Sequence, residues 1–232
     1  MSTSFLDQFV KISSDESAAV ARRLEAGESA RSVGESLGLD PVAVVAAIAQ
    51  VGLGPEGSDG PSLIQAAPSR PRLAERVADE STIANLFPRA GRPARLALGA
   101  GLLQVLDAWE ASHTAAQAAD DIGESITSAA WHMVAHRREP DADNARYWAR
   151  RVRGAVFDPL TTLALPLLRI PGTDPGWLGR LLQGSTPVWN PATMIDFCGR
   201  VAPGSAQETL ARRLQRLEML VLLDGSITAL DG

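Results

Sequence analysis

The feature that most constrains this chain is its hydrophobic period. Ala, Leu, Arg and Glu recur at three- and four-residue spacing along most of its length, and no alternating run of β-branched residues lasts more than a few positions. Apolar residues at i, i+3 and i+4 line one face of an α-helix, whereas a half-buried strand needs period two. An all-α helical bundle with essentially no sheet is therefore expected. Hydrophobic residues at 45% and charged residues at 21% give the chain enough apolar surface for a packed core, which argues against disorder.

Turn signals divide the chain. Residues 1–53 read as a small three-helix module with segments Glu16–Ala26, Ala30–Leu37 and Pro41–Val51, where Asp40 caps and Pro41 opens the third. Residues 54–71 hold Pro55, Gly57, Gly60, Pro61, Pro68 and Pro71 and read as a mobile or extended linker. Residues 72–232 form the main helical domain. Its expected helices are Arg72–Leu86, Ala94–Ala119, Ser125–Arg138, one capped by Asp143, Pro191–Val201 and Ser205–Leu223; no element is assigned to the Pro-rich stretch 158–175.

Several function classes are disfavoured. The first module resembles a helix-turn-helix, but its third helix offers only Gln50 for reading bases, and the net charge is −5. A packing or homodimerisation module is expected there, without sequence-specific nucleic-acid binding. No stretch approaches the ~20 apolar residues of a membrane span, and Met1–Asp7 lacks the basic and apolar regions of a secretory signal. A cytoplasmic protein outside the membrane is expected. The single cysteine, Cys198, sits in an apolar run and reads as a small buried hydrophobe. Of 22 basic residues only Lys11 is lysine, so abundant arginine alone is no evidence of phosphate recognition.

The three histidines, His113, His132 and His136, all fall within 24 positions on two consecutive expected helices. His132 and His136 are i, i+4 partners whose rings can converge on one point. Glu110 and His113 are i, i+3 neighbours, and Leu102, Leu106, Trp109 and His113 share a stripe that turns His113 inward. An antiparallel hairpin of the two helices would bring the acid and all three imidazoles together. Glu110, His113, His132 and His136 are thus the candidate catalytic set and the candidate ligands of a divalent transition metal, Zn, Fe, Ni or Cu. Without a metal, the same set can act as general acid and base. The plainer alternative is that each histidine only hydrogen-bonds a neighbour in a polar helix interface.

The run from Trp131 to Arg151, with His132, His136, Arg137, Arg138, Glu139, Pro140, Asp141, Asn144, Tyr147 and Trp148, resembles a family of bacterial and fungal helical proteins without assigned activity. Trp189–Cys198 and Arg213–Glu218 also look like that family's pattern, with Asn190 at a position where the family has an acid. The resemblance covers roughly residues 95 to 224 and implies that the motif residues form one unit. The same run is similar to a single tetratricopeptide-like hairpin, without a second copy.

Two readings follow. In one, the chain is a metal-dependent enzyme on a small polar or anionic substrate, with Arg137, Arg138, Asn144 and Tyr147 binding that substrate. In the other, it is a helical module whose basic, aromatic hairpin binds a protein partner.

Overall fold

The computed structural model describes residues 4–124, 126–152, 155–169, 180–183 and 188–231. Among them are thirteen α-helices and one two-stranded antiparallel hairpin, so the all-α expectation holds. The part of the Pro-rich stretch at 170–175 lies outside the described residues.

Four helices occupy the N-terminal part: α1 (Phe5–Lys11), α2 (Ser14–Glu25), α3 (Ala30–Leu37) and α4 (Pro41–Leu53). Local chemistry sets their starts. Ser13 and Glu16 form a reciprocal capping box on α2, Ser29 caps α3, and Asp40 caps α4 ahead of Pro41. Helix α1 went unread because its Phe5 and Phe9 make too short an apolar pattern. Every residue of α4 from Ala43 to Gln50 is buried, packed by α1, α2 and the seventh helix described below, which accounts for its apolar character on all sides. Gln50, the one base-reading residue on offer, accepts from Ser17 Oγ at 2.8 Å and donates to the Ile12 carbonyl at 3.0 Å. It ties α1, α2 and α4 together and is buried.

The main body follows with α5 (Pro71–Ala78), α6 (Glu80–Leu86), α7 (Arg92–Val105), α8 (Trp109–Asp121), α9 (Thr127–Arg138), α10 (Ala142–Ala149) and α11 (Asp158–Leu168). The hairpin β1 (Leu182–Gln183) and β2 (Val188–Trp189), then α12 (Pro191–Cys198) and α13 (Ala206–Thr228), complete it. Two expected helices are each two. Asp79 ends α5 and caps α6 through the Ser81 amide, and the chain bends at Leu106–Ala108 between α7 and α8. At that elbow Asp107 takes φ 61°, a left-handed conformation that Asp tolerates better than most residues, and the Ala108 amide returns to the Leu103 carbonyl at 2.9 Å. The cap of α10 is Asp141, which accepts from the Asn144 amide; Asp143 lies two residues further on, inside the first turn.

Helix α9 is the axis of the body: all twelve of its residues are buried. Trp131 lies against Gly101 so closely that a Cβ there would approach its ring to 2.5 Å, and its indole donates to Ser226 at 3.1 Å. No helix among the described residues is long and apolar enough to cross a membrane.

The segment 54–70 is free of helix and strand, as expected, yet it is tethered. Arg216 on α13 donates to the carbonyls of Leu53, Gly54 and Pro55, Arg212 to those of Gly60 and Pro61, and Arg213 pairs with Asp59 at 2.7 Å. Gln215 and Arg138 both donate to the Ser62 carbonyl, and the Gln65 amide donates to the Arg138 carbonyl. The guanidinium of Arg216 also lies over the Phe9 ring at 5.3 Å, joining α1 to the same anchor.

Arg216→Ala would remove the donor to three carbonyls at once. We expect it to cost about 2–4 kcal/mol in urea denaturation and to expose the 54–70 segment to limited proteolysis. Unchanged stability and cleavage would show that the tether is incidental.

Candidate metal centre

The α8–α9 pair packs as the anticipated hairpin, and the three imidazoles meet. Ring centroids of His113 and His132 are 4.9 Å apart, those of His113 and His136 are 5.0 Å apart, and His132 and His136 stack at 6.1 Å. Two tryptophans wall the cluster. Trp109 stacks on His113 at 5.3 Å and anchors itself by donating its indole N–H to the Ala135 carbonyl of α9 at 3.0 Å. Trp148 of α10 stacks on His132 at 3.9 Å, with 15° between the planes.

The acid at this cluster is not Glu110. That residue is exposed on another side of α8, lining a surface cleft with Glu75, and makes no hydrogen bond or ion pair to an imidazole. Glu139 takes its place: its Oε2 lies 2.9 Å from His136 Nδ1. The chain leaves α9 by a tight return in which the Asp141 amide donates to the His136 carbonyl at 2.9 Å, and this brings Asp141 beneath the same ring. Among the described residues, the one group of three or more His, Cys, Asp or Glu side chains with donor atoms all within 4.8 Å of one another is His136, Glu139 and Asp141, and it can hold a metal ion. Of the anticipated ligands His113, His132, His136 and Glu110, only His136 belongs to this group. The three rings converge, but the donors at metal spacing are one imidazole and two carboxylates. The sequence signal for this group is the i, i+3 spacing of His136 and Glu139 at the end of α9.

The substrate-binding candidates divide. Asn144 belongs to the site, with its Nδ2 at 3.3 Å from His136 Nδ1. Arg137 and Arg138 do not. Arg137 forms an ion pair with Glu218 at 2.5 Å, in which the two side chains are 1% and 0% exposed. Arg138 pairs with Asp107 and donates to the carbonyls of Gln104 and Ser62. Buried guanidiniums with such partners hold helices together; Arg137 keeps Nε and Nη1 without a partner, but both are shut away from solvent. Tyr147 is 43% exposed and carries the Arg151 guanidinium over its ring at 4.5 Å, beside the cluster and outside it.

Exposure falls steadily inward: Asp141 is exposed, Glu139 half-buried, His136 buried, and His132 fully buried with neither ring nitrogen hydrogen-bonded. Burial, reinforced by the other two imidazoles, pushes the His132 pKa down to about 3. Burial and the charge of His136 also lower His113, against a smaller opposing effect of Glu139. Both rings are therefore neutral near pH 7, the form a metal ligand or a general base requires. Cys198 is partly buried, and desolvation raises its thiol to about 11, which leaves it inert as a nucleophile.

His132 makes stability depend on pH. Its folded-state pKa lies below the ~6.5 of an unfolded histidine, so on acidification the unfolded chain binds the proton first. Its contribution is intact above about pH 6.5 and is lost as pH falls toward 3. We expect His132→Phe, which keeps a ring against Trp148, to flatten the decline in urea midpoint between pH 7 and pH 4. An equally steep decline in the variant would refute the assignment.

No family model, no curated protein and no solved structure matches this chain, so the reading of the site rests on its geometry.

Proposed function

We propose that the chain is a metal-dependent enzyme acting on a small polar substrate, with His136, Glu139 and Asp141 as the ligands. The observation that carries this reading is the convergence of three ligand-type donors within 4.8 Å beside two neutral imidazoles, one of them buried without a partner. A nitrogen and an oxygen ligating one ion at ~2.0–2.1 Å and near a right angle lie roughly 3 Å apart, and His136 Nδ1 and Glu139 Oε2 are separated by 2.9 Å. One imidazole with two carboxylates suits Zn or Fe better than Ni or Cu.

A bound divalent cation would lower the pKa of a coordinated water toward neutrality. His113, neutral and half-buried with its ring 5.0 Å from that of His136, is placed to take a proton from such a water. Asn144 supplies an amide at the same point. Trp109 and Trp148 cover the rings from both sides and limit water access. Recruitment of an anion by Arg137 and Arg138 drops out of the reading, because both guanidiniums are engaged in the interior. The interaction-module alternative has one observation in its favour, the exposed Tyr147–Arg151 stack.

The test is elemental analysis of protein purified without a metal column, followed by reloading of the apo form. We expect near-stoichiometric Zn or Fe, and a Tm that rises on reloading. His136→Ala and Glu139→Gln should each abolish most of the uptake. Asp141→Asn keeps the cap of α10 yet removes a charged ligand, so metal content should fall while apo-protein stability stays within about 0.5 kcal/mol. Glu110→Gln should leave metal content unchanged. Protein that contains no metal, takes none up and shows no Tm shift would defeat the proposal.

A further inference from the structure

Two of the proposed ligands, His136 and Glu139, sit at the end of α9, where Arg138 is the last helical residue and Glu139 the C-cap. The last carbonyls of an α-helix have no partner within the helix and need donors from elsewhere. Here the Ala135 carbonyl receives the Trp109 indole as well as the Glu139 amide, and the His136 carbonyl receives the Asp141 amide. The Arg138 carbonyl receives the Gln65 amide, from the extended segment that precedes α5. A group far back in the chain thus completes the helix end that carries the ligands.

The peptide group between Arg138 and Glu139 is thereby held on both edges. Its oxygen accepts from the Gln65 N–H at 3.0 Å, and its N–H donates to the Ala135 carbonyl at 3.0 Å. A peptide group is planar and rigid, so the two bonds fix the plane and with it the Cα of Glu139. Glu139 is only half-buried, so packing leaves its carboxylate a latitude that the backbone must take away. The same stretch also grips the side chain of Arg138, whose Nε donates to the Ser62 carbonyl at 3.1 Å. Buried Leu63 seats the stretch in the core, and Gln215 of α13 holds the Ser62 carbonyl from the other side at 3.1 Å.

We propose that residues 62–65 are a positioning element of the metal centre, and that the Gln65 backbone N–H, acting through the Arg138 carbonyl, sets the affinity of His136, Glu139 and Asp141 for the ion. The inference rests on the metal reading above and adds to it a dependence on one backbone group remote in sequence. The Gln65 side chain has no part in it.

The test compares Gln65→Pro, which deletes the N–H, with Gln65→Ala, which keeps it. Zn is titrated into the metal-free, full-length proteins, and the visible spectrum of their Co(II)-loaded forms is recorded. A third protein is the ester analogue of Gln65→Ala, with lactate at position 65, which replaces the N–H by an oxygen without adding a ring; it decides the matter where the proline prevents folding. We expect the proline and the ester each to weaken Zn binding about tenfold and to alter the Co(II) spectrum, while Gln65→Ala matches the unchanged protein in both. A merely structural role would lower the urea midpoint and leave the affinity and spectrum of the folded protein as they were. That result overturns the proposal, as does an equal loss of affinity in Gln65→Ala. If the unchanged protein takes up neither Zn nor Co, the metal reading fails and this inference with it; if it takes them up and the proline and ester forms match it, this inference alone fails.

Discussion

The site depends on one buried cation. The guanidinium of Arg138 is 0% exposed at the end of α9, where desolvation pulls its pKa below the usual arginine range. An unpaired charge in that position would cost several kcal/mol. Its compensation comes from three places: the Asp107 carboxylate at the α7–α8 elbow, the Gln104 carbonyl at the end of α7, and the Ser62 carbonyl of the connecting segment. Satisfying one guanidinium thus fixes the elbow against α9 and folds the 54–70 segment over both. The elbow in turn sets the heading of α8, and so places Trp109 and His113 against His136 and His132. Arg138 shares this task with the Trp109 indole, which donates to the Ala135 carbonyl of α9, and with Ser112, which donates to the Ala100 carbonyl of α7.

This explains which parts of the molecule were legible. Helices α3 and α4 could be placed almost to the residue because Ser29, Asp40, Pro41 and Gly38 are local signals that act wherever they occur. The break at Leu106–Ala108 carries no Gly or Pro, and its cause lies 31 residues downstream at Arg138. The convergence of the imidazoles was readable, since i, i+4 spacing on α9 and the hairpin with α8 are both short-range facts. The identity of the acid was not. Three residues on a helix of ~100° per residue leave Glu110 about 60° from His113, enough for one to face the cleft by α5 while the other faces α9.

Arginine misled for a related reason. With Lys11 the only lysine, arginine serves here both for solvated charge and for internal ties, and sequence alone does not separate the two uses. Arg137, Arg138 and Arg216 are buried and hold carbonyls or carboxylates of distant segments, whereas Arg92 pairs with Glu80 near the surface. What sets the internal ones apart is a tertiary partner: Glu218, Asp107, or the row of carbonyls that prolines and glycines leave unpaired between Leu53 and Ser62. A Pro/Gly-rich segment has carbonyls in need of donors, so composition that reads as a free linker also describes a segment suited to capture by a helix rich in arginine.

The turn after α9 shows how one residue serves structure and chemistry together. Asp141 accepts from the Asn144 amide through Oδ1, which stabilises the first turn of α10 and holds the carboxylate in place. Its second oxygen is then free, and its position is set by the backbone bond from the Asp141 amide to the His136 carbonyl. Asn144, whose amide it caps, turns its own side chain back to the His136 ring. The loop that ends one helix and begins the next therefore pre-orients a carboxylate, an amide and an imidazole with few free torsions. Pre-organisation of this kind lowers the entropy lost on binding a ligand. It also accounts for the weakness of the signal in sequence, because Glu139 and Asp141 fall between two helices, where acids commonly serve turns and caps.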